Sequence, residues 1–472
     1  MKKLSLLLPA LLLLFATQLL AQGKAVISGK INKPLSDYLE LITYPNPLIP
    51  EEVKTEVALQ GDSFRMEVPL EGAMVAELLH GDEVVQVYLE PGYALELTFN
   101  GEKFLKTLKY SGKGANENNY LVAYTNRFDE EEDYQVLPEN IKLNEQEFTE
   151  FLDYRREDQL KSLEKYAAKS PVSGQFKEYL LAEMEFSYAK DKLSYHPLRQ
   201  QSLQVALSKP SAGFYTYLNN LDMQRPANRL SPSFVSFLRS YTGYFAQEAG
   251  YGEANAQFYK ASYEVAAQRL QGQARLMAQA QILKQSILFG HLAYTEQMLQ
   301  DFTSKSKDAA LNAYLAESYS ANKSFAIGSP APDFTLRRIS GDTVSLSDFQ
   351  GQLVYLNFWR SDCGLCQMEL PNLQQLIARL KGKKAVVLNV ALDTDEAQWR
   401  KKVQDRKLQG EQLFAGGAAA ELQQRYNLKD VPAYFLIDEK GRFISLKARR
   451  PSSPEAVNDM LQHLELRQAS LH

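Results

Sequence analysis

Cysteine is almost absent from this sequence. Only Cys363 and Cys366 occur in 472 residues, so no disulfide framework can hold the fold together. Histidine is scarce too: His80, His196, His291, His463 and His472 form no H-x-x-x-H pair, and none is close in sequence to the cysteines. A structural zinc site takes four ligands, commonly two C-x-x-C pairs or one pair with two histidines, and those ligands are missing. The sequence therefore implies no metal and no other cofactor. No basic block stands out and the formal net charge is -4, which argues against nucleic acid as a partner. No fixed-period repeat is visible, so a solenoid of tetratricopeptide type is not supported. No apolar run beyond residue 20 approaches the length of a membrane span.

The one long apolar run is at the start. "MKKLSLLLPALLLLFATQLLAQGK" carries Lys2 and Lys3, then apolar residues from Leu4 to Leu20, then Ala21. This order of basic, apolar and small residues is that of a cleaved secretory signal, expected over residues 1–21. The competing reading is an uncleaved anchor, because the run is nearly long enough to span a bilayer; Pro9 within it and Ala21-Gln22 after it favour cleavage. No cysteine follows to carry a lipid. The expected setting is the periplasm of a Gram-negative cell envelope.

Hydrophobic residues make up 45% and charged residues 23% of the chain, ordinary values for globular proteins, and the length suits two to four domains. The 26 tyrosines and 23 phenylalanines imply well-filled cores or binding surfaces. Three regions follow the leader. Residues 22–115 read as strands: "YLELITY" (38–44) is rich in β-formers, and "FRMEVPL" (64–70) alternates with period two. Gly61-Asp62 and Gly81-Asp82 each separate two such runs as hairpin signals, and "YALELTF" is bounded by Pro91-Gly92 and Asn100-Gly101. An antiparallel β-sandwich is expected here, with His80 at a turn on the surface.

Residues 116–322 are expected to form an α-helical domain. In "SPSFVSFLRSYTGYF", Ser231 is placed to cap a helix and Pro232 to begin it. Phe234, Phe237, Leu238, Tyr241 and Phe245 then share one face. "FTEFLDYRREDQLKSLEKY" and "FKEYLLAEM" behave similarly, and such aromatic stripes are more often helix core than a ligand box. "FDEEEDYQ" reads as a solvated acidic stretch, with too few oxygen ligands for a cation.

Residues 326–468 alternate strand and helix. "QLVYLNFW" (352–359) and "AVVLNVALD" (385–393) are buried strands, "DEAQWRKKVQDRK" and "AAELQQRYNL" are helices, and "AYFLIDEKGRFISLKA" makes two strands around Glu439-Lys440-Gly441. This is an α/β arrangement. The cysteines fall between the first buried strand and its helix, where a doubly wound sheet exposes its functional loops. A structural staple is a weak reading for so short a loop, whereas a dithiol has a mechanism. Cys363, in the first turn of a helix, has unsatisfied N–H groups to stabilise a thiolate. Cys366, three residues on, shares its face and can resolve a mixed disulfide.

"IGSPAPDFTL", "VYLNFWRSDCGLCQMELP" and "YNLKDVPAYFLID" resemble, in order and spacing, the thioredoxin-fold proteins of the TlpA/ResA type, which are exported bacterial thiol–disulfide oxidoreductases. The resemblance implies a protein-disulfide reductase with Cys363 as nucleophile and Cys366 as resolving thiol. It implies a cis peptide between Val431 and Pro432, and places Trp359, Val431 and Pro432 where a substrate chain would lie. It matches Glu369 to a carboxylate that could take the Cys366 proton, and implies a helix kinked at Pro371. Asn357 stands where thioredoxin proper has a buried acid. Envelope proteins with disulfides and a membrane thiol carrier are the implied partners. "YLEPGYALEL" and "YSGKGANENNYL" carry a weaker likeness to the extension often found ahead of such domains.

The chain departs from the family at two places. Asp362 stands where tryptophan is usual: it would cap the helix, but as a charge beside Cys363 it should raise that thiol's pKa. Gly364-Leu365 replaces a pair that usually ends in proline. Two other functions compete. "APDFTL" also precedes the cysteine of peroxiredoxins, but those need threonine where this chain has Arg360. A non-catalytic polypeptide-binding protein on the same scaffold is the second.

Overall fold

The structure, a computed structural model, describes residues 23–203, 209–253, 255–323, 325–453 and 455–469. The expected signal over 1–21 lies outside the described residues. The described residues pack as two compact units, 23–195 with 209–234, and 196–203 with 235–469.

The first unit begins with eight strands: β1 (Gly23–Asn32), β2 (Tyr38–Thr43), β3 (Val53–Ala58), β4 (Ser63–Leu70), β5 (Met74–His80), β6 (Glu83–Leu89), β7 (Ala94–Asn100) and β8 (Lys109–Lys113), with a one-turn helix α1 (Phe104–Thr107) between the last two. They form two four-stranded sheets, ordered β4-β1-β7-β8 and β3-β2-β5-β6. Alternation decides the burial. Phe64, Met66, Val68 and Leu70 of β4 point into the core while the residues between them are exposed.

Three features differ from the strand expectations. The pairing is not wholly antiparallel, since β1 runs parallel to β7 from Val26 opposite Ala94 to Asn32 opposite Asn100. A parallel neighbour needs a long crossover, and β2 to β6 supply it. The Gly61-Asp62 turn closes only a single antiparallel bridge, Gln60 with Ser63, and the strands part beyond it: β3 pairs with β2 and β4 with β1, so the chain there passes from one sheet to the other. Gly81-Asp82 does close one, between β5 and β6, with Gly81 at φ +62°. His80 is not on the surface. It is 1% exposed, its Nε2 accepts from the Leu35 N–H at 2.9 Å, and its Nδ1 lies 3.3 Å from the Tyr38 carbonyl oxygen.

Helices α2 (Ala115–Tyr124), α3 (Glu145–Ala167) and α4 (Gly174–Leu203) follow. Asn144 caps α3, accepting from the N–H groups of Gln146 and Glu147, while Glu147 reaches back to the Asn144 N–H. The apolar faces of these helices fill the same core as the strands. Tyr120, Leu163, Phe176, Tyr179 and Leu180 cluster with Ile27, Leu41, Tyr88 and Leu97. Side chains of this size each contribute about 1.5–3 kcal/mol on burial, which is why these helices stay with the sheets and do not form a helical domain of their own.

Ser231 caps α5 (Pro232–Glu248) as expected, its hydroxyl accepting from the Phe234 N–H at 3.0 Å. The second unit continues with α6 (Phe258–Arg269), α7 (Gly272–Leu288), α8 (Thr295–Lys305) and α9 (Ala309–Asn322). Gly290, at φ +74°, sits where a Cβ would come within 2.5 Å of Leu446 and 2.8 Å of the Phe325 carbonyl oxygen, so the approach there tolerates only glycine.

The rest of this unit holds one seven-stranded sheet: β9 (Thr335–Arg338), β10 (Thr343–Ser345), β11 (Leu353–Trp359), β12 (Ala385–Ala391), β13 (Glu411–Phe414), β14 (Ala433–Ile437) and β15 (Phe443–Ser445), in the order β10-β9-β13-β12-β11-β14-β15. Its helices are α10 (Gly364–Leu380), α11 (Glu396–Asp405), α12 (Ala419–Arg425) and α13 (Glu455–Ala469). Every residue of the central strand β11 is buried. Leu353 and Tyr355 pack with Leu370, Leu373 and Leu376 of α10 and Met460 of α13; Val354, Leu356 and Phe358 pack with Leu422 and Tyr426 on the other face. This is the thioredoxin fold expected for the C-terminal domain. Strand β13, only four residues long and half polar, was not visible in the sequence pattern. Among the described residues no helix is long and apolar enough to cross a membrane.

Candidate active site

β11 ends at Trp359 and α10 begins at Gly364, so the cysteines lie where the central strand hands the chain to its helix. Cys363 and Cys366 are disulfide-bonded, with Cα atoms 5.2 Å apart. Their exposure is unequal: Cys363 is half-buried, whereas Cys366 is 3% exposed. An incoming sulfur can therefore reach Cys363 and not Cys366.

The α10 cap is Cys363 itself. Its sulfur accepts from the Cys366 N–H at 3.1 Å, so the group that would stabilise a thiolate is already aimed at it. This corrects the expectation that Asp362 caps the helix. The Asp362 carboxylate points instead to Arg360, whose Nε and a terminal nitrogen donate to its two oxygens at 2.9 and 3.2 Å. Both side chains are largely exposed, 47% for Arg360 and 61% for Asp362. The charge expected to weigh on Cys363 is thus offset by a neighbour and screened by water.

Opposite the dithiol, the Val431–Pro432 peptide is cis. The Cys363 sulfur lies 3.5 Å from the Val431 carbonyl oxygen. A disulfide sulfur has no hydrogen to donate, so this is a close contact; the free thiol could make it a hydrogen bond. Leu365 and Met368, on the first turns of α10, are 50% and 65% exposed and add apolar surface beside the reactive sulfur.

Trp359 does not line that surface. It is 2% exposed and packs with Cys366, Ala391 and Trp399 beneath the site. As the last inward residue of a strand covered on both faces, it is part of the floor and cannot touch a substrate. Its indole N–H has no partner among the described residues.

Glu369 is half-buried and tied to Ser452, accepting from its N–H at 2.9 Å and its hydroxyl at 2.7 Å. The described hydrogen bonds do not join Glu369 to either cysteine. Burial, reinforced by the Glu369 charge, holds the Tyr434 hydroxyl well above the ordinary tyrosine range, which places the carboxylate's field on that side of α10. Pro371 lies inside α10, where it removes one helical N–H donor. Asn357, at 3% exposure, donates from Nδ2 to Asn389 Oδ1 at 3.0 Å across β11 and β12. No cluster of three or more His, Cys, Asp or Glu side chains among the described residues is placed to hold a metal ion.

The sequence reading missed Ser361 and Asp393. They meet in the buried floor of the loop before Cys363. Nothing local signalled the pair, which spans 32 positions.

Residues 327–444 match the AhpC/TSA family. Thiol-disulfide oxidoreductase ResA of Bacillus cereus is 31% identical over 126 residues, which are 27% of this chain and 72% of that protein. Thioredoxin-like protein YneN of Bacillus subtilis is 35% identical over 117 residues, 24% of this chain and 66% of that protein. Among solved structures, the thioredoxin domain of a thiol-disulfide oxidoreductase from Bacteroides vulgatus is 27% identical, covers 29% of this chain and 98% of its own, and has a TM-score of 0.28.

Proposed function

Since this chain belongs to the ResA-type family of thiol–disulfide oxidoreductases, we propose that it is exported and reduces disulfides of envelope proteins through Cys363 and Cys366. The observation that carries the reading is the unequal pair at the head of α10: an accessible sulfur that accepts an N–H, bonded to a buried one.

The reaction begins from the dithiol. The Cys363 thiolate attacks one sulfur of a substrate disulfide, forming a mixed disulfide and expelling the other substrate sulfur as a thiolate. Cys366, once deprotonated, attacks the Cys363 sulfur. That closes the internal disulfide and expels the second substrate thiolate. Two electrons pass from the protein dithiol to the substrate, and its two protons end on the substrate thiols. Glu369 is the proposed acceptor for the Cys366 proton. Val431 offers its backbone to the substrate chain beside Pro432. A membrane thiol carrier then returns two electrons and two protons to the pair.

Export is supported by the basic, apolar and small order of residues 2–21, and the periplasm is the proposed compartment. The proposed organisation has a β-sandwich over 22–115, helices over 116–322 and the thioredoxin domain over 326–468. Peroxide reduction is disfavoured because Arg360, not threonine, stands three residues before Cys363. A purely binding role is disfavoured by the bonded cysteine pair.

The test is an equilibrium titration of the mature protein against glutathione or dithiothreitol, read by thiol alkylation. A reversible two-electron couple near about −270 mV supports a reductase; one near about −120 mV points to an oxidase. A pair that never cycles overturns the reading.

A further inference from the structure

The loop that delivers Cys363 is held by a carboxylate from the loop after β12. Ser361 is 2% exposed, and Asp393, two residues past the end of β12, is 7% exposed. The Ser361 N–H donates to both Asp393 oxygens, at 3.0 and 3.2 Å, and the Ser361 hydroxyl donates to Oδ1 as well. The Ser361 carbonyl oxygen accepts from Gln367 Nε2 at 3.0 Å, and Gln367 is the residue after Cys366. Each polar group of Ser361 therefore has a partner. One tie runs to the loop after β12 and the other to α10, bracketing the four residues of the motif.

The charge of this carboxylate is as informative as its bonds. No cation pairs with Asp393 among the described residues; its described partners are the two Ser361 donors. A buried carboxylate without a counter-ion is costly, and a neutral acceptor could satisfy the Ser361 N–H without that cost. Asp362, by contrast, is exposed and matched by Arg360. We propose that Asp393 is a positioning residue for the dithiol: through Ser361 it fixes the backbone entering Cys363, and its buried charge opposes formation of the Cys363 thiolate. A thiolate held less stable makes the couple less oxidising. The inference rests on Cys363 and Cys366 being the redox pair.

Two readings on the full chain test it: the equilibrium constant with glutathione, and the rate of Cys363 alkylation in the reduced protein across pH. Asp393→Asn keeps an acceptor for the Ser361 N–H and removes the charge. It is expected to shift the equilibrium about tenfold towards the dithiol, about 30 mV for a two-electron couple, and to move the alkylation profile to lower pH. Ser361→Ala leaves the charge with one donor fewer, so its shift is expected in the opposite direction, by about threefold. This second variant decides the matter if Asp393→Asn does not fold. A folded Asp393→Asn with the wild-type constant and profile overturns the inference, as does an unshifted Ser361→Ala. Should the wild type itself fail to cycle, it is the dithiol reading that falls.

Discussion

The Cys363 sulfur lies 3.5 Å from the carbonyl oxygen of Val431, a residue 68 positions further along the chain. The contact joins the head of α10 to the segment entering β14, so a polypeptide paired with the Val431 backbone would carry its own sulfur to Cys363. Replacing the resolving thiol should then trap the encounter. Cys366→Ala is expected to accumulate mixed disulfides with substrate proteins, and Cys363→Ala to accumulate none. Non-reducing electrophoresis with mass spectrometry of the adducts reads the outcome, and equal trapping by both variants would contradict the assignment of nucleophile.

The Arg360–Asp362 pair sets a second expectation. Arg360→Ala leaves the Asp362 charge uncompensated beside Cys363, so alkylation of the reduced protein should slow about twofold at neutral pH and low salt; Asp362→Asn should speed it by a similar factor. Both effects should shrink near about 0.5 M salt, where the screening length falls to about 4 Å and exposed charges are strongly screened. Effects that persist at high salt would mean that these variants act through loop geometry.

Glu369 can be tested apart from the bonds that hold it. Glu369→Gln keeps an acceptor for Ser452 but takes no proton, and resolution of a preformed Cys363 mixed disulfide should slow by about tenfold or more. First attack by Cys363 on a small disulfide should be unchanged. If both steps keep wild-type rates, Glu369 only anchors the segment around Ser452.

His80 makes the first unit sensitive to acid. Burial pushes its pKa below the ordinary 6.5, so the folded state keeps it neutral while the unfolded chain takes up a proton near that value. The stability it contributes is therefore present above about pH 6.5 and lost as pH falls below it. Protection of the Leu35 amide from hydrogen exchange, corrected for intrinsic rate, should drop between about pH 7.5 and 5.5. In His80→Ala, protection should be low at both, since leaving the amide unpaired costs about 1–3 kcal/mol.

Phe176 is fully buried, with its ring centroid 4.9 Å from that of Tyr88 in the core shared by helices and strands. Phe176→Ala should destabilise the first unit by about 3–5 kcal/mol, read as an earlier urea transition. A cost below about 1 kcal/mol would mean that α4 contributes little to that core.

What was legible in the sequence was what neighbouring residues decide among themselves. The C-x-x-C spacing brings two sulfurs within bonding distance across one helical turn. Gly81-Asp82 closes its hairpin because glycine takes a positive φ without cost, and Ser231-Pro232 starts its helix because a hydroxyl and a missing N–H suit that end. Alternation along β4 and the apolar run of β11, interrupted only by Asn357, told a half-buried strand from a central one.

Tertiary structure decided the matters that depend on partners distant in sequence. Gly61-Asp62 carries the same local signal as Gly81-Asp82, yet it joins two sheets, because β1 claims β4 and β2 claims β3. His80 is held inside by the Leu35 and Tyr38 backbone groups that meet its ring and by Phe99 packed against it, and Trp359 lies in the floor because Trp399 and Cys366 pack with it. Asp362 loses the cap to the Cys363 sulfur, and its charge is met by Arg360. The carboxylate that holds the entrance to Cys363 comes from Asp393, in the loop after β12. Hydrophobic period and turn chemistry act over a few residues and can be read along the chain, whereas burial and charge pairing are set by whichever side chains the fold brings together.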